Sequence, residues 1–140
     1  MYQHPHTIES HRLHVLVTGT TMGVQATFLG KLLQRIRFSA VTSTEHCDVI
    51  IAFCPVSSRI GTDIDDALNK ISEFKYHKPA ILVVLHHTPY LDSIVAPSRR
   101  LVNKSNILGT VDCLFHEEYF HNCEMNRQAL NSVYTMLDNM

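Results

Sequence analysis

Residues 48–54 read DVIIAFC, and residues 80–85 read AILVVL. Both are nearly unbroken apolar runs of strand length. A strand with one wet face alternates polar and apolar residues. An unbroken run is what a strand covered by helices on both faces requires. The two runs therefore predict adjacent, parallel, central strands in an α/β layered fold.

The neighbouring segments fit that frame. Leu13 to Thr18 (LHVLVT) reads as a first strand ending at Gly19. From Met22 the apolar period changes: Met22, Ala26, Leu29, Leu32, Leu33 and Ile36 fall on one stripe, predicting a helix over 21–37 capped by Thr20 or Thr21. Phe38 to Thr42 suits a short second strand. A second helix is expected from Thr62 to Phe74, with Thr62 and Asp65 resembling a capping box. After the AILVVL strand, residues 88–110 show no clear period beyond a short helix near Pro97–Val102. Val111 to Phe115 reads as a last strand and Met125 to Leu137 as a last helix. Alternating strands and helices predict a three-layer α/β/α fold with a mainly parallel, flavodoxin-like sheet of order 2-1-3-4-5. Residues 1–11 read as a polar tail and 12–140 as one domain of this type.

Composition bounds the function. The chain has 140 residues, 45% hydrophobic and 18% charged, as expected of a globular domain large enough to need no staple. A net charge of −1 gives no basic footprint for nucleic acid. No apolar stretch is long enough to span a bilayer, and MYQHPHTIESHR lacks the apolar core of a signal peptide. A cytoplasmic location is the expectation, with Cys47, Cys54, Cys113 and Cys123 as free thiols.

In open α/β sheets, ligands bind beyond the carboxyl ends of the strands, at the switch in strand order. That rule gathers Gly19, Thr20 and Thr21 after the first strand, and Ser57, Ser58, Arg59 and Gly61 after the third. It adds His86 and His87 after the fourth strand and His116 after the fifth. The Gly19–Thr21 turn precedes a helix, so its amides suit a phosphate. Asp63, Asp65 and Asp66 open the next helix; carboxylates there suit ribose hydroxyls, a cation, or a base or nucleophile. Asp63 is the candidate catalytic residue, with Asp65 and Asp66 expected to point elsewhere around the helix. No metal site is expected: adjacent His86 and His87 point to opposite faces of a strand, and Cys113, His116, His121 and Cys123 match no zinc spacing. The sequence names no cofactor.

Two resemblances rest on these residues. CPVSSRIGTDIDDAL (54–68), KPAILVVLHHT (78–88) and TVDCLFHE (110–117) resemble a family of short uncharacterised bony-fish proteins, a likeness that implies no activity. More distantly, a buried strand, a Gly-containing loop, an acidic residue opening a helix and a Lys-Pro before the next strand resemble the nucleoside deoxyribosyltransferase and nucleotide N-glycosidase group and its TIR-like relatives. That resemblance implies a carboxylate acting on the sugar, at Asp63 where the group has the longer Glu, and a phosphate loop at Gly19–Thr21. Three functions fit these residues: a Rossmann-like domain binding a nucleotide-like small molecule or a protein partner, a nucleotide or dinucleotide N-glycosidase, and a TIR-like interaction module, with a homo-oligomer compatible with each.

Overall fold

The computed structural model describes residues 10–140, so all but the last two residues of the expected tail lie outside the described residues. His11, assigned to that tail, already belongs to the first strand. The strands are β1 (His11–Val17), β2 (Phe38–Ala40), β3 (Val49–Pro55), β4 (Ala80–His87), β5 (Ile107–His116) and β6 (Tyr119–Phe120). The helices are α1 (Val24–Leu33), α2 (Ile60–Ser72) and α3 (Glu124–Asp138), with a 3-10 turn at Ser98–Leu101. The sheet order is β2-β1-β3-β4-β5-β6, parallel except for the terminal β5–β6 pair. This is the flavodoxin-like order with one short antiparallel strand added.

The two apolar runs are central and parallel, with Ile50 opposite Ala80 and Phe53 opposite Val83. Because successive side chains alternate faces, each run feeds two cores. Val49, Ile51, Phe53, Ile81, Val83 and Leu85 meet α1 and α3. Ile50, Ala52, Cys54, Leu82 and Val84 meet Ile64, Ala67, Leu68 and Ile71 of α2. On the first face Phe28 packs edge-on against Phe53 and Phe120, at 5.5 and 5.9 Å between ring centres. No helix among the described residues is long and apolar enough to cross a membrane.

Several boundaries differ from expectation for local reasons. Met22 and Gly23 both take positive φ, 55° and 84°, and the Val24 N–H donates to the Thr21 carbonyl. That left-handed turn delays α1 to Val24. Gly23 takes the cap position, Met22 points outward, and the Thr21 hydroxyl bonds Gln25 instead of capping the helix. Helix α2 starts at Ile60, two residues before Thr62, so the Thr62–Asp65 capping box does not form; Arg59 is the cap residue. Strand β5 begins at Ile107, four residues early, and includes Gly109, where the Met136 side chain occupies the place of a Cβ. A glycine inside a strand hid this extension from the pattern. Strand β6 has two residues and leaves no periodic trace.

Candidate functional site

The chain leaves β1 through α1 to β2 on one side, then returns to β3 on the other. The switch in strand order therefore falls between β1 and β3. A cavity of ≈ 290 Å³ opens at their carboxyl ends and runs back along α2. Thr18, Gly19, Pro55 and Ser57 line it from the strands, and Asp63, Asp66, Asn69, Lys70 and Glu73 from α2. The Thr18 N–H and hydroxyl both donate to the Phe53 carbonyl, at 3.0 and 3.2 Å. A Cβ on Gly19 would stand 2.9 Å from Cγ of Pro55, a ring atom with little freedom to move, so only glycine lets the first loop pass this close to β3.

The α2 wall follows from helical geometry. Asp66, Asn69, Lys70 and Glu73 stand at i, i+3, i+4 and i+7, one continuous stripe. Asp66 is three residues from Asp63 and lines the same cavity. The expectation that it points elsewhere is thereby corrected: adjacent helix positions diverge, but positions three apart are neighbours. Three carboxylates and one ammonium line the cavity, so it disfavours phosphate and suits hydroxyl or amine donors.

Asp63 itself is engaged. One carboxylate oxygen accepts the Ser57 and Ser58 N–H groups at 2.8 and 3.0 Å, and the other accepts the Ser58 hydroxyl at 3.2 Å. Burial pushes the carboxyl up, but these three donors outweigh it and hold Asp63 below the usual carboxylate range. Its observed work is to fasten the β3–α2 loop. Nearby, burial pushes the Cys54 thiol up to about 11, so it is no thiolate nucleophile at neutral pH.

Of the residues gathered from the sequence, Gly19, Ser57 and Asp63 meet at this cavity. Ser58 serves it indirectly, through Asp63. Thr20 and Thr21 belong to the turn before α1, while Arg59 and Gly61 form the start of α2; none of the four lines the cavity. No family model, curated protein or solved structure matches the chain.

The histidines divide between two further places. His86 turns to the α2 face, where its Nε2 lies 2.7 Å from Asp112, which also accepts the Ser98 N–H at 3.0 Å and the Ser98 hydroxyl. Sequence reading missed Ser98 and Asp112, which are far from His86 along the chain. These residue types suggest a hydrolase triad, but the carboxylate sits between serine and histidine, and Ser98 is 1% exposed. The histidine is not placed to take the serine proton, so the cluster fastens the β4–β5 connection. His87 faces the other way, stacked on His116 with ring centres 5.0 Å apart.

Proposed function

We propose that this chain is a binding module for a nucleotide-like small molecule, held mainly through its sugar hydroxyls in the β1–β3 crevice. The observation behind this reading is the acidic α2 stripe facing a cavity at the switch point, where α/β sheets take their ligands. Carboxylates and the Asn69 amide suit vicinal hydroxyls, and the net negative lining favours a nucleoside over its phosphate.

The N-glycosidase reading needs Asp63 free to approach the sugar, and its carboxylate already accepts three donors. Binding without turnover is therefore favoured. In a thermal-shift series with nucleosides, nucleotides, dinucleotides and sugar phosphates, nucleosides should raise the melting temperature most. Asp66→Asn with Glu73→Gln should weaken that binding roughly tenfold, as expected for losing charge-assisted hydrogen bonds. A panel that leaves the melting temperature unmoved sinks the proposal. Release of free base from any member, abolished in Asp63→Asn, would instead establish the glycosidase.

A protein-interaction role draws on a different observation. Tyr90, Leu91 and Ile94 are exposed on the segment after β4, Ile94 at 96%. Sedimentation across a concentration series, repeated with Ile94→Lys, tests for self-association through this segment.

A further inference from the structure

Strands β4 and β5 end side by side, with His87 opposite Phe115 and His116 one residue further on. His87 lies between two rings, edge-on to Phe115 at 5.1 Å and stacked on His116 at 5.0 Å. The chain then turns through Glu117, whose φ of 53° starts the two-residue hairpin loop into β6. This turn carries the Glu117 side chain back over the strand ends. His87, His116 and Glu117 each offer a ligand atom, and the three atoms lie within 4.8 Å of one another. His116 Nε2 and the Glu117 carboxylate are 3.8 Å apart.

The Glu117 N–H donates to His87 Nε2 at 3.1 Å, so that nitrogen carries no proton, and a metal binding there displaces the amide from its lone pair. We propose that His87, His116 and Glu117 form a binding site for a divalent transition-metal ion of the zinc class. Two imidazoles and one carboxylate are the borderline donors that zinc, nickel and copper prefer over magnesium or calcium. Neighbouring ligands in a tetrahedral site with bonds near 2.1 Å stand about 3.4 Å apart. The His116–Glu117 pair is already close to this, and the widest separation closes by rotation of partly exposed side chains. Three protein ligands leave one position open to water or an exogenous group, unlike a closed four-ligand structural site. When the metal takes the His87 lone pair, the N–H of Glu117, an exposed residue, is left to water.

The test is calorimetric titration of the full chain with Zn2+, in wild type, His87→Ala/His116→Ala and Glu117→Gln. An exposed histidine elsewhere, His77→Ala, is the control. The double variant should weaken the tightest binding event roughly tenfold or more and Glu117→Gln by less, while His77→Ala leaves it unchanged. Histidine ring resonances of wild type, followed by NMR during the titration, should show His87 and His116 responding first. Because this readout uses wild type, it stands even if a variant folds poorly. Equal affinity in wild type and a folded double variant overturns the proposal, as does a first response at other histidines or no binding at all. None of these readouts depends on the β1–β3 crevice.

Discussion

Replacing Asn126 by Ala is expected to lower the melting temperature by roughly 10 °C, from a loss of about 3 kcal/mol at about 3–4 °C per kcal/mol. Asn126 is in the first turn of α3 and 2% exposed. Its amide nitrogen donates to the Leu114 and His121 carbonyls, both at 2.8 Å, and its oxygen accepts the Leu114 N–H at 2.7 Å. Strand β6 pairs only with Phe115 and His116; at Leu114 the carbonyl also accepts the His121 N–H at 3.2 Å, but the Leu114 N–H on the outer edge of β5 has no backbone partner. The Asn126 side chain takes that place. Alanine leaves the Leu114 N–H buried and unpaired, which costs more than the bond itself contributes. Asn126→Asp should be at least as damaging at neutral pH, because it turns a second acceptor toward two carbonyls. Thermal unfolding followed by circular dichroism decides the matter; a shift under 2 °C for Asn126→Ala would mean that β5 does not depend on this clamp.

Removing the Asp112 carboxylate should cost roughly 3–5 kcal/mol, the range for breaking a buried charged network by deleting one partner. The Asp112 side chain is 13% exposed, and Asp112→Ala leaves the Ser98 N–H, the Ser98 hydroxyl and His86 without their acceptor. The damage should extend to residues 88–106, which cross from β4 to β5 with only one 3-10 turn and are fastened through Ser98. Faster amide exchange across that segment is the local signature.

The same carboxylate predicts a pH dependence. Burial pushes the Asp112 carboxyl up, but the hydrogen bonds from His86 and Ser98 outweigh it and hold it low. A folded-state value below the unfolded one contributes stability that is present above the unfolded value, near pH 4, and is lost as pH falls through the folded value. Asp48, held low by Arg12, and Asp63 act in the same direction. Stability should therefore fall below about pH 4, and Asp112→Asn should flatten that acid limb without abolishing it. An unchanged acid limb in Asp112→Asn would show that Asp112 keeps its ordinary affinity for protons in the folded chain.

The sequence by itself determined the layered architecture. Nearly unbroken apolar runs of strand length at 48–54 and 80–85 fit buried, two-faced strands, and the stripe Ile64, Ala67, Leu68 and Ile71 places α2 against them. Strand ends and the switch in order follow from element order, so the sequence also indicated where to look for a cavity, of whose lining it named Gly19, Ser57 and Asp63. The acidic stripe of α2 was missed, with Asp66 expected elsewhere, although Asp66, Asn69, Lys70 and Glu73 share one face by spacing alone. Tertiary structure alone decided what each polar group does. Asp63 looks like a free carboxylate in sequence, but the path of the chain through Ser57 and Ser58 brings three donors onto it. His86 and His87 are neighbours in sequence and separate in function, since the strand sends one to Asp112 and the other to His116. Periodicity reports which side of an element faces the core. It carries no information on which residues, 26 positions apart for His86 and Asp112 or 30 for His87 and the Glu117 amide, the sheet register brings within a hydrogen bond.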